Sequence, residues 1–359
     1  MTIRFTYGVE QTFRRRWRCI TIRGEIDDLR PPVVRSDCRL NGGGQIPFFV
    51  ETIPDQGVDW LNGYKASPAE LRCRHLGEFV IEIPTESLMP GRNALALTID
   101  DGLGKRAAEM TFDYDPTPPA LPLDLADLSA FSSIQEVGET VNGAFDLDRA
   151  ANVIRSRAPV APDALLVIGP PAQSQEATYT VRFIETRDAK WLGLSDFFAG
   201  MIEGSPPRGL RVGWCSAGMA VITPTGQARS FLAWGDHSGQ PDEWAIATHP
   251  PVAFKVERGV PYSVRHRITF EDGVNSVAFR IWPKGSPEPD IWLCHERDSA
   301  VPPHLPRHEV GSFALFQHMG YPIEWSDIRI QGIDAGVEQL PRGVAGRAPF
   351  LRRERPGAF

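Results

Sequence analysis

The sequence has few cysteines, and no two of them sit at metal-ligand spacing. Cys19, Cys38, Cys73, Cys215 and Cys294 are scattered over 359 residues. No C-x-x-C pair exists, which argues against a zinc ribbon. The odd count and wide spacing fit free thiols in a reducing compartment better than a disulfide framework. Long apolar runs are missing too: none reaches the roughly 18 residues of a membrane span. Positive charge is not in excess, since the formal net charge is -7, so neither nucleic acid nor membrane is an expected partner. Gly-x-Ser-x-Gly, phosphate loops and dinucleotide fingerprints are lacking, which removes the commonest nucleophile and nucleotide chemistries. So is any amphipathic helical pattern longer than about ten residues.

What is there is alternation and punctuation. Hydrophobic residues make up 42% and charged residues 23%, the mix of a folded globular chain. The 33 Gly and 32 Pro break it into short segments, as an all-β protein requires. At this length two domains are expected. Residues 1–113 read as an immunoglobulin- or fibronectin-like β-sandwich. Cys19 to Gly24 is a short strand, Asn41-Gly42 a turn, and Glu78 to Ile83 alternates with Phe79, Ile81 and Ile83 on one face. Residues 114–122 are a proline-stiffened linker. Residues 123–331 hold dense strands and are expected to form a jelly-roll sandwich. In that part Leu125 to Leu128 reads as a helical turn and Phe131 to Val137 as a first strand. Ala164 to Gly169 is a strand covered on both sides, and Thr178 to Glu185 a strand with Tyr179, Val181 and Phe183 inward. Arg211 to Ile222 is expected to be a hairpin. Tyr262 to Phe270 alternates strictly, turns at Glu271 to Asn275, and returns as Ser276 to Trp282. The arginine-rich tail, 332–359, is expected to be disordered, to lie along the first domain, or to join subunits into a homo-oligomer. No signal peptide is visible, which places the chain in the cytoplasm, or in the periplasm or outside the cell had a leader preceded it.

Several constellations bear on chemistry. Arg265 and Arg267 share a strand face, and Arg280 lies across the hairpin from them. Like charges so close repel unless carboxylates or an anionic ligand sit between them. The face is therefore either a solvated surface with Glu partners or a groove for a sugar carboxylate, a phosphate or hydroxyls. Asp236 and His237 lie beside Trp234, and Gln317 and His318 lie near Tyr321, Glu324 and Trp325. Imidazole can exchange a proton near neutrality, and indoles give sugars a flat platform. Against these stands the plainer reading of surface or turn residues. His266 falls on an apolar face and reads as a core residue. Asp327 in the final strand, with Asp146 and Asp148, are candidate ligands for a structural Ca²⁺, although calcium wants 6–8 oxygens. No other cofactor is called for. A glycosidase needs two acids roughly 5–10 Å apart, and the one-strand Glu-x-Asp-x-x-Glu run of retaining glucanases is missing.

Phe279-Arg-Ile-Trp-Pro-Lys-Gly-Ser-Pro-Glu-Pro-Asp-Ile-Trp292, followed by Gly311 to Ile330, resembles the closing strands of concanavalin A-like (laminin-G-like) jelly rolls. The nearest likeness is to bacterial saccharide-acting members, including the 3-keto-disaccharide hydrolase type. Those often end in a Gly…Leu-Gln-x-His-Gly…Ile pattern. Gly311, Leu315, Gln317, His318, Gly320 and Ile328 correspond, with the spacing around Gln317 and His318 altered. The first domain is similar to accessory sandwich domains of carbohydrate-active proteins. The resemblance implies a saccharide ligand and leaves three classes open. As a hydrolase or lyase, the chain would use His237 or His318 as acid/base and Glu324 or Asp236 as partner or metal ligand. Arg265, Arg267 and Arg280 would clamp the substrate, with Trp234, Gln317 and Trp325 lining the site. As a binding module it would hold the glycan by the same face without turnover. As a scaffold it would do neither.

Overall fold

Alternating apolar residues force strands to bury one face, and two such faces close each of two sandwiches. The computed structural model describes residues 2–16, 19–52, 73, 75–102, 104–157, 163–184, 192–198, 214–222, 228–235, 244–248, 256–271, 274–290, 292, 294–297, 311–318, 322–333 and 350–351. The architecture is all-β, with one short α-helix and two 3₁₀ turns among the described residues.

The first sandwich has two four-stranded sheets. One runs Ile3–Phe5, Cys19–Ile26, Glu78–Pro84, Phe48–Val50; the other runs Glu10–Arg14, Lys105–Asp115, Gly91–Asp100, Arg35–Leu40. Glu10–Arg14 lies parallel to its neighbour. Phe79, Ile81 and Ile83 are buried in the core, as their spacing predicts. Val80 instead packs with Cys73 on the opposite face. Asn41 and Gly42 both take positive φ, which a tight hairpin turn demands. The strand from Cys19 does not stop at Gly24 but continues to Ile26. Gly24 is needed there because a Cβ would collide with the Arg4 carbonyl and the Phe79 ring.

The second sandwich is a jelly roll of two large, wholly antiparallel sheets. The back sheet runs Glu139–Asn142, Asp163–Val167, Ser312–His318, Leu192–Phe198, Trp214–Ile222, Ala228–Gly235, Trp244–Thr248, Phe350–Leu351. The front sheet runs Phe145–Asp148, Val153–Ser156, Ile323–Gly332, Gln175–Phe183, Pro261–Glu271, Val274–Pro283, Cys294–Arg297, with Leu123–Leu125 also paired to Ile323–Gly332. Tyr179, Val181, Phe183, Tyr262, Val264, Ile268, Phe313, Leu315 and Trp325 fill the space between.

Three local expectations are corrected. Ile134–Val137 is a helical turn, not a strand. The Ser132 backbone N–H and hydroxyl both donate to the Glu136 carboxylate, and this local closure favours the helix. Leu123–Leu125 is a strand, and the 3₁₀ turn follows at Leu128–Ala130, capped by Asp127 accepting from Ser129 N–H at 3.0 Å. Trp214–Ile222 is one continuous strand rather than a hairpin, because Ser216-Ala217-Gly218 offers no Asn, Asp or Pro to turn the chain. In the tail, Phe350–Leu351 pairs with Ile246–Ala247 at the edge of the back sheet.

The sandwiches meet through buried polar contacts. The Arg16 guanidinium donates to the carbonyls of Ile168 and Glu136, and Ser312 Oγ donates to the Arg16 carbonyl at 3.0 Å. Burial pushes Arg16 down to about 10, with Glu139 offsetting part of the effect, so the group is charged at neutrality. Arg23 pairs with Glu78 at 2.9 Å and donates to the Val141 carbonyl at 3.3 Å. Tyr7 Oη accepts from Phe145 N–H at 2.9 Å.

Candidate functional site

The outer face of the front sheet can be written row by row from its register. One row reads Ser326, Thr180, Ser263, Trp282; the next reads Arg329, Thr178, Arg265, Arg280. Beyond these lie Gln331, Glu176, Arg267 and Ala278 on one side, and Arg155, Glu324 and Arg182 on the other. These positions share the outward phase of their strands; Thr180, for instance, lies between the buried Tyr179 and Val181, and Glu324 between the buried Ile323 and Trp325.

One irregularity shapes this face. Thr178 pairs with Arg329 and Thr180 with Ser326, so Asp327 and Ile328 together oppose Tyr179. That is a β-bulge. Asp327 takes φ 52, a left-handed conformation that aspartate tolerates better than most residues. The bulge turns Ser326 and Asp327 both outward and returns Ile328 to the core. Asp327 accepts from Lys284 Nζ at 2.6 Å, Thr180 Oγ1 at 2.8 Å and Ser326 Oγ at 3.3 Å. Burial alone would raise its pKa, but the Lys284 and Thr180 hydrogen bonds outweigh it and hold the carboxyl below the usual range.

Around this pair opens a shallow cavity of about 350 Å³, walled by Thr178, Thr180, Ser263, Arg265, Trp282, Lys284, Asp327 and Arg329. Trp282 is half-buried, its indole on the outer face. A second cavity of about 370 Å³ lies where the sandwiches meet. Polar side chains in its wall are already engaged: Gln135 donates to Gln11 at 2.5 Å, and Tyr7 is bonded as above.

The three arginines do share one face, and carboxylates stand between them. Arg265 binds Glu176 and, at 2.7 Å, Glu288; Arg267 binds Glu176 at 2.6 Å; Arg280 reaches Glu288 at 3.1 Å. Trp292 lies under Arg280 at 4.0 Å and Arg267 at 5.3 Å. The Glu288 hydrogen bond, ahead of the opposing effect of burial, raises the pKa of Arg265. Burial pulls the Glu288 pKa up, yet Arg265 overrides it and the carboxyl sits below its ordinary range.

The other candidates separate. Trp325 is 0% exposed, in van der Waals company with Phe145 in the core, and cannot serve as a sugar platform. Gln317 is equally buried and accepts from Ser156 Oγ at 2.6 Å between the sheets, so it touches no ligand. Both residues share strand phase with core neighbours, Trp325 with Ile323 and Gln317 with Phe313 and Leu315, and the period of 2 decides against the surface reading. Both Glu324 oxygens are taken by the guanidiniums of Arg155 and Arg182, which leaves none for acid/base work. His318 is on the back sheet, paired through its backbone with Asp163, a sheet away from Glu324 and the arginines. Its side chain, that of Trp234, and all of Asp236 and His237 lie outside the described residues, as do Arg72 and Arg74. His266 is fully buried in the core beside Phe313, and burial pushes it down to about 3.

The three aspartates do not converge on a metal. Asp327 is held by Lys284, Asp146 pairs with Arg157 at 2.7 Å, and Asp148 accepts from Ala151 N–H at 2.9 Å. Among the described residues no group of three His, Cys, Asp or Glu is placed to hold a cation. The donor set therefore does not fit a calcium cage.

Trp282, Lys284, Thr180 and Ser263 were not singled out from sequence. Two signals pointed to them. Trp282 falls out of phase with Val277, Phe279 and Ile281, which places it outside. The apolar phase also slips from Ile323 and Trp325 to Ile328 and Ile330, with Ser326-Asp327 between, and this is the mark of a bulge.

Comparison with protein-family models finds no match, and neither does comparison with curated proteins. Among solved structures, the chain is similar to a carbohydrate-binding module (CBM66) from Bacillus subtilis, at 9% identity and a TM-score of 0.34, covering 55% of this chain and 96% of that one. Lectin II from Ulex europaeus gives 12% identity, a TM-score of 0.34 and coverage of 60% and 99%. The lumenal domain of VIP36, in a Ca²⁺/Man3GlcNAc-bound form, gives 14%, 0.35, and 58% and 90%. At such values none of them bears on what this chain binds.

Proposed function

We propose that the outer face of the front sheet binds a saccharide, without cleaving it. One observation carries this: a half-buried indole, Trp282, beside a fixed Asp327–Lys284 pair and the hydroxyls of Thr180 and Ser263, in one shallow cavity. An indole face stacks on the apolar side of a sugar ring. A carboxylate accepts from two adjacent hydroxyls while lysine and threonine donate. Trp282, Asp327, Thr180 and Ser263 stand on paired strands and Lys284 in the turn that follows one of them, so little backbone ordering entropy is lost on binding. General-acid cleavage by Asp327 or Glu288 would need a carboxyl that still holds its proton near neutrality, and both are instead held below their ordinary ranges.

The test is a glycan array with the intact chain, followed by titration of the best hit against wild type and Trp282→Ala, with product analysis by chromatography. Retention without product, and roughly tenfold weaker binding by the variant, is the expected result. Equal affinity in the variant, or a cleaved product, overturns the reading.

A further inference from the structure

At the Glu324 end of this face charge is layered by depth. Glu324 is 2% exposed at the side chain, whereas Arg155 and Arg182 are 39% and 45% exposed. There the carboxylate forms the floor and the guanidiniums the surface. Arg155 and Arg182 flank Glu324 from the strands on either side and share that one carboxylate. Two guanidiniums on a single buried anion leave an outward positive charge, and each fork has donors to spare. Arg182 stands one outward position along its strand from Thr180, at the cavity wall, and Lys284 adjoins Pro261, the register partner of Arg182. This positive face belongs to a chain whose net charge is -7, so general charge balance does not produce it.

We propose that the saccharide bound here is anionic, a uronate or sulfate-ester oligosaccharide. One ring stacks on Trp282 and an acid group of another sits on the Arg155–Arg182 pair. The inference rests on the saccharide reading above. Trp282 and Arg182 are on strands two spacings apart, about 10 Å, so a single sugar ring does not bridge them and an oligomer is required. A planar guanidinium pair matches the oxygens of a carboxylate or sulfate better than it matches hydroxyls.

Binding of an oligogalacturonate and of a sulfated oligosaccharide, each beside its carboxyl-reduced or desulfated counterpart, separates the two acid groups from neutral sugar. We expect one acidic ligand to bind at least tenfold tighter than its neutral partner. Its affinity should fall about tenfold between roughly 50 and 500 mM NaCl, as screening removes the ionic part. Arg182→Gln should abolish most of the difference between acidic and neutral forms while leaving the neutral affinity in place. Should that variant fail to fold, Arg155→Gln and the salt titration of the wild type still decide. Neutral glycans binding as well as acidic ones, with no salt dependence, overturns the anionic assignment but keeps the saccharide one. Retention of no saccharide of either kind overturns both.

Discussion

The two faces of the front sheet are made by the same strands, residue by residue, and do opposite things. Inward, Tyr179, Val181, Val264, Ile281 and Trp325 are 2% exposed or less. Outward, one residue along, stand Thr180, Arg182, Arg265, Trp282 and Glu324. A tryptophan on each face makes the contrast plain: Trp325 is packed in the core, and Trp282 is the indole we propose for recognition. Position in the pleat, not residue type, assigns the role.

The largest effect is expected from the inward tryptophan. Trp325→Ala should cost about 3–5 kcal/mol of stability, the toll of emptying a packed aromatic site, read as a fall in the urea midpoint. Trp282→Ala should change that midpoint by less than about 0.5 kcal/mol, as surface substitutions do, while weakening the ligand. Equal losses of stability at the two sites would erase the distinction between the faces.

Next comes the inward histidine. His266 titrates near 6.5 when unfolded and is pushed down to about 3 by burial. The unfolded chain therefore binds a proton that the native chain refuses, and stability falls as pH drops from about 6.5 toward 3. Between pH 7 and 4.5 the loss should be on the order of 2 kcal/mol. Denaturation midpoints across that range should flatten in His266→Leu. The outward carboxyls work in a lower window: Asp327 and Glu288 are held below their ordinary values, so their contribution is lost only as pH falls below about 4.

A smaller effect belongs to Glu324. It is itself buried, but its arginine partners are well exposed and can be rehydrated when it is lost. Glu324→Gln should accordingly cost about 1–2 kcal/mol, below the 3–5 kcal/mol of a fully buried broken pair, as measured by chemical denaturation. A loss above that range would mean the outer face is as structural as the inner one. Smallest is a matter of thiol access. Burial, then the Asp37 charge, pushes Cys38 up to about 12, so in native protein it should resist a disulfide reagent that modifies the partly exposed Cys19.

Alternation made the core legible in the sequence. Phe79, Ile81 and Ile83, then Tyr179, Val181 and Phe183, and Tyr262, Val264, His266 and Ile268 all face where a period of 2 puts them. The arginine face was legible for the same reason. The site was less so, because its composition draws on strands far apart in the chain: Trp282, Thr180 and Asp327 meet only through register. Trp325 and Gln317 were misread from their chemistry although their phase was against it. Ile134–Val137 was misread because a local Ser132–Glu136 closure won over apolar content.

The extra residue at Ser326-Asp327 serves the outer face and is separable from the core. Deleting Asp327 would leave Trp325 inward, Ser326 outward and Ile328 inward, the regular alternation of an unbulged strand, with Arg329 still opposite Thr178. It is pairing at full length without the bulge that would swing Ile328 and Ile330 out to solvent, so over generations this spot can lose its extra position and keep a folded sheet.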